Sequence, residues 1–233
     1  MSSTSERSVR LDGIVFRYRE TGDGTGPVLV LLHALGEDAR DWDEVAAALS
    51  SRYRVLALDQ RGHGQSEYTA RYSFELMRDD LRNFVDALGL ERFSLMGHSM
   101  GGLVALLFAE EHPERVQRLA IEDAAPPAES GTRPEPPPEP PEPVSFDWRV
   151  VAPIRRQLND ADPAWWERLH RITAPTLVVG GGSTSHIPQE ELEALSKLIP
   201  GCRLVTIEGA GHEVHSARHE QFLAVVEEFL APQ

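Results

Sequence analysis

The chain has little cysteine and no long apolar run. Its 233 residues include one cysteine, Cys202, which excludes an internal disulfide framework and any metal site built from several cysteines. Apolar runs such as Val28–Leu32 are far shorter than the roughly 20 residues that a membrane-spanning helix needs. The first residues carry neither a basic nor an apolar region, so no secretory signal is visible. We therefore expect a cytoplasmic protein that has no membrane partner.

Positive charge is scarce as well. Lys197 is the only lysine, and 23 Lys and Arg residues stand against 37 Asp and Glu residues, which gives a formal net charge of -14. Proteins that bind nucleic acid attract its phosphate backbone with clustered basic residues. The composition therefore predicts no nucleic-acid partner, and the acidic surface serves solubility. It leaves open whether the protein is a monomer or a dimer.

Short β-branched and leucine-rich segments alternate with longer helical patterns, which predicts an α/β three-layer sandwich around a mostly parallel sheet. The Asp12-Gly13 turn predicts an N-terminal antiparallel hairpin. Asp41 and Ser73 are expected to cap the first two helices. The predicted strands are centred on residues 9–11, 14–18, 28–32, 55–58, 93–96, 119–121, 177–179 and 204–207. The predicted helices are residues 41–49, 73–88, 103–111, 189–198 and 220–230.

One segment interrupts this alternation. Residues 124–144 hold nine of the 17 prolines, which predicts an extended, flexible linker rich in proline and glutamate. Residues 145–171 carry three tryptophans, and Asp162-Pro163 predicts the start of a helix. We therefore predict one core domain formed by residues 1–123 and 172–233. Residues 124–171 are predicted to form a short lid insert, with a linker at 124–144 and a small helical part at 145–171.

A Gly-His-Ser-Met-Gly segment lies between a predicted strand and a predicted helix. Its central residue, Ser99, would occupy a sharp and strained turn, and the flanking Gly97 and Gly101 would let neighbouring backbone approach. Such a turn places the hydroxyl at the N-terminus of a helix, whose dipole favours developing negative charge. The segment predicts a nucleophilic serine; the alternative is a glycine-rich turn without chemistry.

Four motifs in the same order resemble those of the α/β-hydrolase family, and the similarity runs from about residue 9 to residue 230. They are the serine motif, the His-Ala-Leu-Gly segment at 33–36, the Asp-x-Arg-Gly-x-Gly-x-Ser segment at 59–66 and the Gly-Ala-Gly-His segment at 209–212. The resemblance implies the α/β-hydrolase fold, an oxyanion loop at 33–36 and a catalytic histidine at 212. We expect no metal ion and no organic cofactor.

A serine hydroxyl needs a base within hydrogen-bond reach. His212 follows the last strand on a flexible loop that can reach the carboxyl edge of the sheet, so we predict that it is the base. His215 and His219 are interpreted as surface residues, because no nearby Asp or Cys completes a metal-binding pattern with them. His98 is interpreted as a packing or hydrogen-bonding residue of the turn.

The acid of the site occupies an unusual position. Many relatives carry it after the seventh strand, where this chain has Ser183, and a serine cannot supply the charge that orients an imidazole. Asp123, after the sixth strand, is the predicted replacement, as in some branches of the family. Glu122 remains a rival, since a shift of one residue reverses the face of a strand. Asp123 could instead serve only as a cap.

The remaining site residues concern the oxyanion and the pocket. The backbone N–H groups of Leu35 and Met100 are predicted to hold the oxyanion. His33 is expected to hold its loop, and Asp59, Arg61 and His63 are expected to be structural. The predicted substrate pocket is lined by His33, His98, Trp148, Trp165 and Trp166. For the tryptophans, the alternative is ordinary packing of the insert onto the sheet.

The predicted function is hydrolysis of a small or medium ester-like small molecule by a serine hydrolase of carboxylesterase type, through an acyl-enzyme. Serine at position 99 argues against the dehalogenases and epoxide hydrolases of this fold, which carry aspartate there. Hydrolysis of a lactone or a carbon–carbon bond stays open, as does acyl transfer to an acceptor such as peroxide. So do a ligand sensor with low turnover and an interaction protein that uses the proline-rich segment.

Overall fold

An eight-stranded sheet forms the centre of the molecule. The computed structural model describes residues 3–127 and 138–231. The strands are β1 (Thr4–Leu11), β2 (Ile14–Thr21), β3 (Val28–Leu32), β4 (Arg54–Leu58), β5 (Phe93–His98), β6 (Val116–Glu122), β7 (Thr176–Gly180) and β8 (Arg203–Thr206). Their order in the sheet is β1-β2-β4-β3-β5-β6-β7-β8. β2 pairs antiparallel with β1 and with β4, and the other neighbouring strands are parallel, as the sequence predicts.

Helices follow most of the strands. They are α1 (Asp43–Leu49), α2 (Phe74–Ala87), α3 (Met100–Glu111), α4 (Val151–Asn159), α5 (Ala164–Glu167), α6 (Gln189–Leu198), α7 (Val214–Ala217) and α8 (His219–Leu230). Short 3-10 turns lie at Ala39–Trp42, Pro113–Arg115, Trp148–Val150, Leu169–Arg171 and Gly182–Thr184. Across residues 3–127 and 138–231, no helix has the length and apolar character needed to cross a membrane.

The sheet is covered on both faces, because successive side chains of a strand point to opposite sides. Along β3, Val30 and Leu32 pack into one core with residues of α2, α3 and α6, and Leu29 and Leu31 pack into another with residues of α1 and α8. All four side chains are fully buried. This arrangement confirms the predicted three-layer sandwich and explains why β3 is apolar at every position.

Most of the predicted turns and caps are present. Asp12 and Gly13 both have positive φ, +47° and +88°, as a two-residue hairpin turn requires. The Ser73 side chain accepts a hydrogen bond from the Leu76 N–H and caps α2. The prediction that Asp41 caps the first helix is wrong. Asp41 lies within the 3-10 turn Ala39–Trp42 that precedes α1, and the cap of this turn is Asp38. The side chain of Asp41 contacts the ring of His215 instead.

The segment between β6 and β7 carries the helices α4 and α5, in the part of the chain predicted to be helical. Asp162 accepts a hydrogen bond from the Ala164 N–H at the start of α5, where the sequence predicts a helix to begin. The proline-rich linker predicted at 124–144 lies partly outside the described residues, since 128–137 are not among them. The lid role of this insert stays a prediction.

Candidate active site

Ser99 lies in the sharp turn between β5 and α3. Its backbone has φ +51° and ψ -115°, a conformation that costs a non-glycine residue energy and that occurs mostly at functional sites. The Ser99 N–H donates to the carbonyl of Glu122 at 3.1 Å, and its carbonyl accepts from Leu103 N–H at 3.1 Å. These bonds fix the turn between the neighbouring strand and the following helix.

The two flanking glycines allow backbone segments to approach closely. A Cβ atom added to Gly97 would lie 2.2 Å from the carbonyl oxygen of Gly101, and one added to Gly101 would lie 2.4 Å from the carbonyl oxygen of Leu32. Neither position can hold a side chain without displacement of the backbone. The reason given for the glycines in the sequence is therefore confirmed.

Gly97→Ala is expected to lower the free energy of unfolding by about 3 kcal/mol, because the new methyl group would overlap a backbone carbonyl that cannot rotate away. Gly89→Ala is the matched control. Its methyl group meets nothing within 4 Å, so only the positive φ of +66° is unfavourable for alanine, and the expected loss is about 1 kcal/mol. Urea denaturation of both variants measures the difference. Equal losses would show that close approach at the turn is unimportant.

His212 and Asp123 form a hydrogen-bonded pair at the carboxyl edge of the sheet. The distance from His212 Nδ1 to Asp123 Oδ2 is 2.7 Å, and the imidazole is about one-fifth exposed whereas the carboxylate is fully buried. An ionised carboxylate only accepts hydrogen bonds, so Nδ1 carries the proton and Nε2 is left as the basic nitrogen. The pair thus gives the imidazole the tautomer that a general base needs.

The surroundings of Asp123 favour its ionised form. Burial alone would raise its pKa, but hydrogen bonds from His212 and from the Ser185 hydroxyl outweigh burial and hold the pKa below its ordinary value. The backbone N–H of Gly181 donates a further bond to Oδ1, at 2.9 Å. Asp123 itself has φ +45°, so the acid also occupies a strained turn.

A cavity of about 550 Å³ opens above Ser99, within the range of sites for small molecules. It brings together six of the predicted site residues: Leu35, His98, Ser99, Met100, Asp123 and His212. Apolar residues contribute much of the remaining wall, namely Ala34, Phe74, Leu103, Ala124, Ala125, Ile154, Leu158 and Ile187. The charged and polar residues of the lining are Glu37, Arg155, His186, Glu191 and Glu213.

Leu35 and Met100, the two residues whose backbone N–H groups are predicted to hold an oxyanion, lie next to Ser99 in the cavity lining. Met100 is the first residue of α3, and the first N–H groups of a helix have no acceptor within the helix. Leu35 lies in the loop after β3, whose turn is closed by a bond from the Glu37 N–H to the Ala34 carbonyl, 3.2 Å. Both predicted donors line the cavity, and the N-terminus of α3 adds a favourable dipole.

His33 does not line the cavity but lies fully buried at the start of the loop that follows β3. Its Nδ1–H donates to the Ala34 carbonyl at 2.7 Å, and its Nε2 accepts from the Gln60 N–H at 3.0 Å. Burial lowers the pKa of His33 and keeps the ring neutral. It therefore holds the loop, as the sequence predicts, although its predicted place in the pocket wall is wrong.

The three tryptophans of the insert are likewise absent from the cavity lining, which contradicts their predicted place in the pocket. Trp165 is 1% exposed and packs edge-on against Phe74, with ring centroids 5.3 Å apart. The indole N–H of Trp166 donates to the Pro127 carbonyl at 3.0 Å, and Trp148 packs on Phe146. They attach the insert to the core, because burial of a large ring is favourable wherever an apolar surface is available.

Position 183 supplies no acid, and the rival acid Glu122 faces away from His212. Ser183 is exposed, and its hydroxyl contacts Glu208. Glu122 accepts from both the backbone N–H of His215, at 2.8 Å, and its Nδ1, at 3.0 Å. His215 is only 2% exposed, so the interpretation of this histidine as a surface residue is wrong. His219 is half-buried and donates from Nδ1 to the His215 carbonyl.

Two residues next to the candidate site, Ser185 and His186, are not predicted from the sequence. The ring of His186 lies 4.1 Å from the ring of His212, between centroids, and Ser185 holds Asp123. No motif marks either residue, because both follow β7 in a segment whose only sequence signal is a run of glycines. Gly181, in the middle of that run, lies in close contact with Gly211, whose N–H donates to the Gly181 carbonyl at 3.1 Å, so a side chain at position 181 would overlap backbone.

Asp41, His98 and His215 bring three potential metal-ligand atoms within 4.8 Å of one another. His215 lies between two carboxylates, with Nε2 at 3.2 Å from Asp41 and Nδ1 at 3.0 Å from Glu122. This environment favours a protonated ring, and an imidazolium has no lone pair to offer a metal ion. The chemistry of the cluster therefore fits an ion-pair network better than a metal centre.

Comparison with known proteins agrees with this architecture. A family model described as the alpha/beta hydrolase fold matches residues 27–153. The sn-1-specific diacylglycerol lipase ABHD11 of Mus musculus is 28% identical over 257 aligned residues, which cover 90% of this chain and 83% of the mouse protein.

Solved structures are similar over nearly their whole length. A hydrolase from Pseudomonas aeruginosa PA01 superposes with a TM-score of 0.85 at 26% identity, covering 98% of this chain and 99% of that one. The enol-lactonase from Burkholderia xenovorans LB400 gives a TM-score of 0.83 at 25% identity, covering 96% of this chain and 99% of that one.

Proposed function

The chain belongs to the alpha/beta hydrolase fold family, and from this membership and the site geometry we propose that it is a serine hydrolase of small or medium carboxylic esters. Ser99 is the nucleophile, His212 the base and Asp123 the acid. One observation carries the proposal: a fully buried carboxylate binds Nδ1 of His212 at 2.7 Å, beside a cavity whose floor holds a strained serine.

The first half of the reaction forms an acyl-enzyme. Nε2 of His212 takes the proton of Ser99 Oγ as the oxygen attacks the ester carbonyl carbon. The carbonyl π electrons move onto the carbonyl oxygen, and the resulting oxyanion accepts hydrogen bonds from the N–H groups of Leu35 and Met100. Collapse of this tetrahedral intermediate breaks the ester bond, and the imidazolium gives its proton to the leaving alkoxide.

The second half of the reaction regenerates the serine. His212 removes a proton from water, the hydroxide oxygen attacks the acyl carbon, and the same two N–H groups hold the second oxyanion. Ser99 leaves with the proton from the imidazolium, and the carboxylic acid departs. Each N–H donor in such a preorganised site lowers the barrier by roughly 3 kcal/mol. Asp123 stays ionised and stabilises the imidazolium in both halves.

The cavity wall supports an apolar and uncharged substrate. Aliphatic and aromatic side chains contributed by α2, α3 and α4 surround the space next to Ser99, where burial of an acyl chain gains about 0.8 kcal/mol per methylene. Besides Asp123, the same lining holds three carboxylates, those of Glu37, Glu191 and Glu213, and one guanidinium, that of Arg155. The excess of negative charge disfavours anionic esters.

The proposal is tested with a fluorophosphonate probe and a panel of p-nitrophenyl esters of increasing acyl length. We expect one phosphonyl group per chain, located on Ser99 by tandem mass spectrometry, and hydrolysis that disappears after labelling. Heat-denatured protein is the control for nonspecific reaction. Failure of the folded protein to react with the probe or to hydrolyse any ester of the panel would refute the proposal.

Narrowing the cavity is expected to shorten the preferred acyl chain. Leu158 projects from α4 into the lining and is half-buried, so Leu158→Trp adds volume inside the cavity without opening the core. We expect kcat/KM for octanoyl esters to fall about tenfold while that for acetyl esters changes less than twofold. Arg156→Trp, at an exposed position of the same helix, is the control. An unchanged chain-length profile would place the acyl group elsewhere.

Lactone hydrolysis is the second candidate, because the fold superposes on an enol-lactonase over nearly its full length at 25% identity. A lactone is an internal ester, so the same nucleophile and oxyanion donors would open it without a separate leaving group. A panel of γ- and δ-lactones next to the linear esters distinguishes the two. A kcat/KM for lactones at least 100-fold above that for matched linear esters would favour lactonase activity.

A further inference from the structure

Two neighbouring carboxylates at the end of β6 hold two histidines of one chain segment. Asp123 binds the ring of His212, and Glu122, which faces the opposite side of the strand, binds His215. His212 lies in the loop of residues 207–213, hereafter the His212 loop, and His215 lies in the short helix α7 that follows at once. The proposed catalytic pair is thus accompanied by a second histidine–carboxylate pair, whose carboxylate is the preceding residue and whose histidine follows three residues later.

The second pair is buried and makes several contacts. Glu122 is 1% exposed, and its Oε1 accepts from the backbone N–H of His215 at 2.8 Å as well as from the ring Nδ1–H at 3.0 Å. The other ring nitrogen of His215 lies 3.2 Å from Asp41. Trp42 stacks on the ring, with centroids 4.6 Å apart. Glu122 therefore fixes both the backbone and the side chain of His215.

A third contact ties the His212 loop to the strand of the nucleophile. The Nε2–H of His98 donates to the backbone carbonyl of His212 at 2.8 Å, and His98 immediately precedes Ser99. Burial lowers the pKa of His98 and favours a neutral ring that still donates this bond. This hydrogen bond therefore links the backbone of the proposed base to the residue next to the proposed nucleophile.

The His212 loop needs such ties because its own sequence does not fix it. Gly209 and Gly211 have φ of +72° and +73°, a region that glycine enters freely and that leaves the loop many alternative conformations when unfolded. The bond from Asp123 orients the imidazole, but it constrains the backbone only through a rotatable side chain. The Gly211 N–H bonds the Gly181 carbonyl just before His212, and the contacts to the His212 C=O and the His215 N–H fix the backbone at His212 and after it.

The charges of the second pair favour a strong contact. Burial would lower the pKa of His215, but Glu122 and Asp41 outweigh burial and raise it to about 10. The ring is therefore an imidazolium between two carboxylates near neutral pH. Removing either carboxylate leaves a buried charge with one partner fewer, which is costly.

We propose that Glu122 and His215 are positioning residues, whose buried ion pair holds the His212 loop at the distance from Ser99 that proton transfer needs. The inference rests on the proposed hydrolase function. Neither residue lines the cavity, so neither touches substrate. Displacement of a catalytic group by about 1 Å can cost on the order of 100-fold in rate, which sets the size of the expected effect.

The test is Glu122→Gln, which keeps the shape of the side chain and removes its charge. We expect kcat for a p-nitrophenyl ester to fall about 30-fold, with KM unchanged within threefold, because the cavity keeps its lining. Active-site titration with the fluorophosphonate gives kcat per reactive serine, so a loss of folded protein is not counted as a slower site. Asp41→Asn removes the second partner and should lower kcat about fivefold.

Asp80→Asn is the matched control. Asp80 is a buried carboxylate paired with Arg61 and is absent from the cavity lining, so its loss tests the general cost of breaking a buried ion pair. We expect a lower melting temperature and an unchanged kcat per titrated site. Downfield proton NMR adds a direct signature: the His212 Nδ1–H resonance should broaden in Glu122→Gln and persist unchanged in Asp80→Asn.

The outcomes separate the inference from the proposed function. If the wild type neither labels nor hydrolyses esters, the hydrolase proposal itself fails. If the wild type is active and Glu122→Gln keeps wild-type kcat per titrated serine, or Asp80→Asn loses as much, the positioning role is wrong. Should Glu122→Gln fail to fold, Asp41→Asn decides: a kcat equal to that of the wild type with an unchanged His212 resonance would overturn the inference.

Discussion

Ser99→Ala should lower kcat/KM for ester hydrolysis by about a million-fold and abolish labelling by the fluorophosphonate. The variant has no oxygen that can attack the carbonyl, and the remaining groups act as a unit that is ineffective without it. What activity remains would come from the N–H groups of Leu35 and Met100 acting on a reaction with water. The measurement is kcat/KM at protein concentrations high enough to detect a residual rate.

The structure offers a matched control for Ser99→Ala. Ser183 is an exposed serine outside the cavity lining, and its replacement by alanine removes only a side-chain contact with Glu208. Ser183→Ala should keep wild-type kcat/KM within twofold. Retention of more than a tenth of the activity in Ser99→Ala would mean that another residue is the nucleophile.

Asp123→Asn should lower kcat about 10,000-fold while leaving labelling slow but detectable. An asparagine can donate as well as accept hydrogen bonds, so His212 is no longer required to keep its proton on Nδ1, and the imidazolium loses its counter-charge. The amide oxygen can still accept the hydrogen bond that the Gly181 N–H donates to Oδ1 in the wild type, so the fold around position 123 should persist. Circular dichroism and active-site titration accompany the kinetics.

The comparison with Glu122→Gln makes this prediction specific. Both substitutions neutralise a buried carboxylate at the end of β6, but only Asp123 contacts the proposed base. We expect the loss in Asp123→Asn to exceed the loss in Glu122→Gln by more than 100-fold. The reverse order would identify Glu122 as the acid, and full activity in Asp123→Asn would remove the assignment of residue 123.

Much of the fold could be predicted because it rests on local patterns. The apolar strand β3, the Asp12-Gly13 turn and the cap at Ser73 each follow from short segments whose preference agrees with their place in the structure. Ser99 and His212 could be chosen as candidates for the same reason, because each lies in a short motif that specifies a turn. Asp123 was predicted as the acid because position 183, where many relatives carry a carboxylate, is a serine here, and few other carboxylates were left as candidates.

Other parts of the site depend on contacts distant in sequence, which short patterns do not encode. Trp165 has the same side chain whether it faces a pocket or a core, and only the packing of α5 on Phe74 decides. His215 follows His212 at a spacing that predicts nothing about burial, and its partners Glu122 and Asp41 are 93 and 174 residues away by sequence number. His186 lies beside His212 because the loop between β7 and α6 folds toward the site, and no local sequence pattern predicts the path of that loop.

Glu122 is the last residue of β6 and Asp123 is the first residue of the turn that follows, so an insertion or deletion in this strand would displace both carboxylates together. Losing a single residue from the strand would shift the register of both, and both histidines would lose their partners at once. Natural variation in the length of this strand should therefore be far rarer than variation in the loops around it, and grafting the site onto another scaffold requires transferring both carboxylates together.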